Sequence, residues 1–561
     1  MFRSRNVPQT RNRAFILFAA VLTGTLTAQE KLTYSIDHPI VNLPVDNELP
    51  TQRVRLEVEG TTLSEFDIQM GSTEPDFWVP YDLSGHQGKT LEIFFEKTLQ
   101  QEHAKPYLSQ EIQNADTVYS ESLRPQLHFT SKRGWLNDPN GLVYQDGTYH
   151  LYYQHNPYGW NWGNMHWGHA VSKDLIHWEE LPIALSPPTY GDMAYSGAAV
   201  IDKKNTSGFG SPDNPPLVIA YTSTGRGECI AYSLDGGITF QQYEGNPVIE
   251  HQGRDPKIFW YEQGQHWVMV LYDETLKQTS DGYDHHDRAL QIYTSSDLKS
   301  WQYQSKVSEF FECPELFELA VDNDPNHKLW VIYGGNGQYR LGAFDGKTFT
   351  PQTERQLFFK GKFHASQTYN NTPDGRRIQV AWGRGIASPG MPFNQLMLFP
   401  CELRLVTTPD GIRMLPRPIE EIELLHGKKH TWTNQVLKTG IPLDTGVQAR
   451  ELHIKAEFEL LGDFDFGLVI NGYELKYNAL DYYLQNAYLR PIDNKITLEV
   501  IVDRTSIEIF GNDGRAYIVD HHISDTENLH VKAFSRSPDW SNDSQNLLRK
   551  LEIYEMNSIW K

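Results

Sequence analysis

Three acidic residues stand out by their surroundings. Asp138 lies in Trp135-Leu136-Asn137-Asp138-Pro139-Asn140-Gly141, Asp255 in Arg254-Asp255-Pro256, and Glu312 in Glu312-Cys313-Pro314. Each is followed within a few residues by a short apolar run that reads as a strand: Leu142-Val143-Tyr144, Ile258-Phe259-Trp260 and Leu316-Phe317. A carboxylate can attack an anomeric carbon, and a carboxylic acid can hand a proton to the departing oxygen. Glycosyl transfer with retention needs both, about 5 to 5.5 Å apart. Asp138 suits the attacking role. Glu312, between Phe310-Phe311 and Cys313-Pro314, has an apolar setting expected to keep it protonated. Asp255, beside Arg254, is expected to stay charged and to hold substrate hydroxyls. A single acid of this kind would read as a strand cap in good turn chemistry; three in one register ask for more.

That register comes from a repeat. Units open at Asp138, Ser196, Asp255, Glu312 and Ser366, about 54 to 59 residues apart, the size of a propeller blade. Each opening leads into an apolar strand, a turn and a second apolar strand, such as Leu217-Val218-Ile219-Ala220-Tyr221 or Val268-Met269-Val270-Leu271. A closing element recurs as Ser172-Lys173-Asp174-Leu175, Ser233-Leu234-Asp235-Gly236, Ser296-Asp297-Leu298 and Phe344-Asp345-Gly346. It reads as the turn before each outer strand. The innermost strands of a propeller all begin at the same end of the axis, so the three acids are expected to meet at one mouth of a central channel. Sugar pockets also want flat apolar faces and amide or hydroxyl partners. Gln154 ends the second strand of the first unit, Trp160, Trp162 and Trp167 follow it, Tyr195-Ser196 opens the second unit, and Trp382 ends the second strand of the fifth.

The whole chain bounds these expectations. Its 561 residues imply two or three domains. A formal charge of -21 argues against nucleic acid or an anionic membrane as partner, and 14 Trp, 29 Tyr and 26 Phe suit an aromatic-rich β protein. Three cysteines make no disulfide framework. Cys313, with no activating His near it in sequence, reads as a small buried thiol rather than a nucleophile. Arg3, Arg5, Arg11 and Arg13, the apolar run from Ala14 to Leu22 and the small-residue exit Leu26-Thr27-Ala28 read as a secretory signal cleaved after Ala28. No later run is long enough to span a bilayer. The expected order is a signal over 1–28, a small β domain and linker over 29–118, a five-bladed propeller over 119–417, a short helical connector over 418–429 and a β-sandwich over 430–561. Asp284-His285-His286-Asp287 looks like a metal cluster but reads as a polar loop. His166 and His169 read as hydrogen-bonded strand residues. No metal or cofactor is called for.

The three acid motifs, in this order, resemble the signatures of glycoside hydrolase family 32, the invertase, inulinase and levanase family. Tyr153-Gln154-His155-Asn156-Pro157, Trp162-Gly163-Asn164-Met165-His166-Trp167-Gly168-His169-Ala170 and Asp503-Arg504-Thr505-Ser506-Ile507-Glu508-Ile509-Phe510 extend the resemblance over about 122–561. It implies an all-β fold, a five-bladed propeller followed by a sandwich, and retaining hydrolysis of β-fructosides. Asp138 would be the nucleophile, Glu312 the acid/base and Asp255 the transition-state stabiliser. Asn137, Gln154, Trp162, Tyr195, Ser196, Arg254 and Trp382 would line the fructose subsite. The implied activity is a secreted or periplasmic exo-β-fructosidase acting on fructans, levan or inulin, with sucrose as a further candidate substrate. An inverting propeller glycosidase of the arabinanase type and a fructan-binding protein without turnover stand as alternatives. The fifth unit departs from the pattern. Phe363-His364-Ala365-Ser366-Gln367 stands where many relatives have a Tyr-Ala-Ala-Gln-like stretch, and Pro400-Cys401-Glu402-Leu403 replaces a common Pro-Arg-Glu-Leu.

Overall fold

The computed structural model describes residues 30–250, 253–278, 284–462, 464–537 and 545–560. The expected signal segment lies outside the described residues.

Alternating and continuous apolar runs become strands throughout. The first blade consists of Gly134–Gln145, Thr148–Asn156, His166–Ser172 and Trp178–Leu185. The second is Ala194–Ile201, Leu217–Ser223, Gly227–Ser233 and Gln241–Gln242, and the third is Arg254–Tyr261, His266–Gln278, Asp284–Ser295 and Gln302–Ser308. The fourth runs Glu315–Val321, Asp324–Tyr333, Gln338–Phe344 and Phe349–Pro351, and the fifth His364–Thr368, Ile378–Trp382, Cys401–Thr408 and Gly411–Pro418. Neighbouring strands within each blade pair antiparallel. Blades pack face to face, so their middle strands are covered on both sides; Leu217–Ser223 is buried at every residue. The ring closes where Phe393–Asn394, from the fifth unit, pairs in parallel with Gly134 and Trp135 of the first. Near the axis the Asn370 amide donates to the carbonyls of Ala199 and Ile258, tying three blades together.

Two sandwiches flank the propeller. The N-terminal one sets a four-stranded sheet (Glu30–Ser35, Thr90–Phe95, Thr51–Val58, Thr61–Gln69) against a three-stranded one (Phe77–Asp82, Ile40–Val45, Tyr107–Ser109). Val54, Leu56, Val79 and Ile93 are fully buried between them. The C-terminal sandwich has seven- and six-stranded sheets, and the propeller lends the first of these a strand, Lys360–Gly361, parallel to Ala516–His521. The connector is a 3-10 helix, Glu420–Leu425, rather than an α-helix. Its two buried residues, Ile422 and Leu425, are three apart, which one tight turn places on one face. Asp284 to Asp287 stand in a strand rather than a loop, because the third blade's central hairpin extends to a Gln278↔Asp284 pair. Among the described residues no helix is long and apolar enough to cross a membrane.

Candidate active site

The inner strands bring their openings together by a shared irregularity. In the first, second, third and fifth blades the inner pair shifts register at its start: between Leu136 and Pro139, Ala194 and Gly197, Arg254 and Lys257, and His364 and Gln367. Such bulges re-aim side chains that regular pleating would send elsewhere. The backbone carries strain at two of the acids, with φ of 64° at Asp255 and 30° at Glu312, and at two neighbours, 44° at Cys313 and 52° at Ala365. Non-glycine residues adopt these values only where surrounding structure enforces them. A cavity on the axis is lined by Pro139, Gly197, Pro256, Pro314 and Ser366, among others, one set from each of the five blades. The expected convergence is therefore present.

The acids are tightly linked. The Ser196 hydroxyl donates to Asp138 at 2.7 Å, and the Asn137 amide donates to its other oxygen at 3.1 Å. Asp255 accepts from the Cys313 backbone N–H at 3.1 Å. The Cys313 thiol lies 3.4 Å from Asp255 and 3.7 Å from Asp138. Glu312 receives Arg254 on one oxygen, at 2.8 and 3.1 Å, and His364 Nε2 on the other at 2.6 Å. Carboxylate oxygens of Asp138 and Asp255 and the Cys313 sulfur lie within 4.8 Å of one another. That donor set does not favour a metal ion. Burial and the neighbouring carboxylates raise the Cys313 thiol well above its usual range, so its one S–H, nearer Asp255, serves as a donor between the two acids rather than a thiolate ligand.

Electrostatics reverse the expected protonation order. Burial pushes Glu312 up, but the hydrogen bond and charge of His364, with Arg254, outweigh it and hold the carboxyl below its ordinary value. Burial, then the charges of Glu312 and Asp138, push Asp255 up to about 7, and Arg254 only partly offsets them. Arg254 is adjacent to Asp255 in sequence, yet its guanidinium sits 2.8 Å from Glu312 and 3.7 Å from Asp255. Adjacency in sequence named one of its two partners, the more distant one. Burial also raises Asp138, against the pull of His364 and Ser196.

The remaining expected residues fall as follows. Asn137 and Ser196 bond directly to Asp138. Trp162 is 49% exposed and meets half-buried Tyr195 edge-on at 6.1 Å. Trp382 packs edge-on to His364 and Trp135, each at 6.0 Å, and its indole N–H donates to Gln395. Gln154 is buried and its amide donates to the Ala194 carbonyl, so it braces the opening of the second blade. His166 and His169 stand in the strand His166–Ser172, bonded to the Asn164 carbonyl and to His150. Two contributors were not foreseen at the site. Thr222 receives the Asp255 backbone N–H at 3.0 Å, and nothing in its own neighbourhood marks it. His364 had a signal, the departure from the family-like stretch of the fifth unit.

Residues 128–418 match the glycosyl hydrolases family 32 N-terminal domain, and residues 471–555 match the family 32 C terminal. The chain is 36% identical over 506 residues to the levanase of Bacillus subtilis (strain 168), covering 79% of this chain and 72% of that protein. It is 30% identical over 533 residues to the extracellular exo-inulinase of Aspergillus awamori, covering 79% and 96%. The crystal structure of the Aspergillus awamori exo-inulinase superposes with a TM-score of 0.69 at 28% identity, over 79% of this chain and 100% of that one. Fructan 1-exohydrolase IIa from Cichorium intybus, at 21% identity and a TM-score of 0.62 over 78% and 98%, shares the fold.

Proposed function

The chain belongs to glycoside hydrolase family 32, and from that premise we propose that it is a secreted retaining exo-β-fructosidase that removes terminal fructose from fructans and also cleaves sucrose. The observation that carries this reading is the meeting of Asp138, Asp255 and Glu312 at one mouth, under the aromatic rim of Trp162, Tyr195 and Trp382. Extracellular action fits the extracellular exo-inulinase among its relatives. Nothing in these likenesses favours an inverting arabinanase-type enzyme.

In this reading Asp138 attacks the anomeric carbon of fructose, aimed by Ser196 and Asn137. Three carboxylates beside one arginine cannot all stay ionised cheaply. A proton on Asp255 leaves the negative charge on Asp138, where attack needs it, and lets Asp255 donate to a fructose hydroxyl. Glu312 protonates the departing sugar oxygen. The His364 ring nitrogen, 2.6 Å from the carboxyl, holds it toward that oxygen. The proton that Glu312 gives up is recovered in the second step from the water that displaces Asp138, so the acid returns to its starting state.

Incubation with levan, inulin and sucrose, with products resolved by chromatography and the first-formed anomer followed by proton NMR, tests this. Fructose, released initially as the β anomer, is expected as the only small product formed at first from levan and inulin, and together with an equal amount of glucose from sucrose. Long oligosaccharides appearing first would overturn the exo assignment, and an initial α anomer would overturn retention.

A further inference from the structure

The segment 157–164 carries Trp162 to the mouth, yet its anchors lie in the N-terminal sandwich. Tyr158 is 2% exposed within that sandwich's core, its ring stacked on Phe66 at 3.6 Å, and Trp160 packs against the same core. Asn164, held at φ 40°, accepts from the Asp67 backbone N–H at 2.9 Å and donates to the Asp67 carbonyl at 2.8 Å, as a strand partner would. The Asn161 amide donates to Gln69 at 3.3 Å. With both flanks pinned, Trp162 is turned outward to solvent.

A second rim segment is gripped by the same sandwich. Tyr190, on the connection from the first blade to the second, donates its hydroxyl to the Asp67 carboxylate at 2.9 Å. The Arg53 guanidinium lies 3.7 Å over its ring. Tyr190 remains 37% exposed. The outward strip therefore presents an indole, a phenol face, a guanidinium and a carboxylate. Ring faces stack on the C–H surfaces of a sugar, and a guanidinium and a carboxylate each hydrogen-bond its hydroxyls, so the strip suits a neutral polyhydroxylated chain.

We propose that this strip is an outer subsite, built jointly by the N-terminal sandwich and the propeller, which receives the leaving portion of a fructan chain beyond its terminal fructose. The proposal rests on the exo-fructosidase reading and names the part of the substrate that the N-terminal domain recognises.

Calorimetric titration of an Asp138→Asn protein, which binds without turnover, tests it with sucrose and with fructan oligosaccharides of increasing length. Affinity is expected to climb about tenfold with length. The climb should vanish when Arg53→Ala and Tyr190→Ala are added, with sucrose affinity unchanged within about twofold. Asp67→Ala should give a partial loss, because Asn164 bonds only the Asp67 backbone and its clasp survives. The same length dependence with and without these substitutions would overturn the proposal. So would an equal loss at every length, which would make the sandwich a scaffold only. Failure of the Asp138→Asn protein to bind any fructoside would instead overturn the fructosidase reading, and this one with it.

Discussion

At the seam between the propeller and the C-terminal sandwich, Asp503 and Glu508 close on His128 at 2.8 and 2.7 Å, all three side chains fully buried. At the propeller mouth, Asp138, Asp255 and Glu312 face one another with Arg254 and His364. Both sites gather buried carboxylates, and they are built in opposite ways. At the seam every acid oxygen has a partner. Asp503 accepts from the backbone N–H groups of Gln126, Leu127 and Arg504, and Glu508 accepts from the Phe399 N–H and the Tyr517 hydroxyl. Burial raises Asp503, but His128 and the backbone donors outweigh it and lower it; His128, despite burial, is pushed up to about 9. At the mouth the balance goes the other way for two of three acids, since burial and mutual repulsion raise Asp138 and Asp255. A cluster whose acids are lowered by a buried cation holds domains together, and one whose acids raise one another keeps a repulsion that an arriving substrate can relieve.

The comparison breaks if the mouth acids turn out to be structural. Asp138→Asn keeps the side-chain shape but removes the attacking charge and replaces one accepting oxygen with an amide donor. We expect kcat on sucrose and fructan to fall by about 10⁴-fold or more, as for other catalytic nucleophiles, with no fall in melting temperature. Residual activity within tenfold of the parent would refute the nucleophile assignment.

At the seam the expected effect is one of stability. His128→Ala leaves two buried carboxylates without their cation, which costs about 3 to 5 kcal/mol, read as a lower urea midpoint. The kcat/KM of the folded protein should not change. The parent should also show a matching pH dependence. His128 has a folded pKa of about 9 against an ordinary 6.5, so its contribution is full below about 6.5 and is lost as pH rises through 9. The loss is on the order of 3 kcal/mol. Asp503 is depressed, so its contribution is lost at the acid end, as pH falls below the ordinary carboxylate range. In His128→Ala the alkaline decline should be missing; if it persists, another group is responsible.

These two sites also mark how far the sequence could be read. The mouth was legible because a repeat of about 54 to 59 residues carries its own register: knowing where one blade opens locates the others, and the acids with them. Which acid holds the proton was not legible, since that depends on where the Arg254 side chain swings and on His364, which comes from another blade. The seam was invisible for a related reason. Asp503 stands in the turn and Glu508 in the second strand of a recognisable hairpin, but His128 lies 375 residues before Asp503, and no period links them. The docking of Tyr158 and Trp160 into the N-terminal sandwich is likewise a contact between units with no shared repeat.

The smallest expected effect is also the sharpest. Asp255 is raised to about 7 from an ordinary 3.8. A carboxyl whose folded pKa lies above its unfolded value destabilises the fold once ionised, so its penalty is full above about 7 and gone near pH 4. Asp255→Asn removes that penalty while keeping an oxygen to accept the Cys313 N–H. At pH 8 the variant should be more stable than the parent by on the order of 2 kcal/mol, below the single-site limit because the acids titrate together. At pH 4 the two should melt alike. Activity should fall about 10²-fold or more through the lost grip on substrate hydroxyls. The same class of change, a buried charge removed, would then stabilise at the mouth and destabilise at the seam. A loss of stability at pH 8 in Asp255→Asn would mean that the mouth is held together by its acids after all, and that the two sites differ in place rather than in kind.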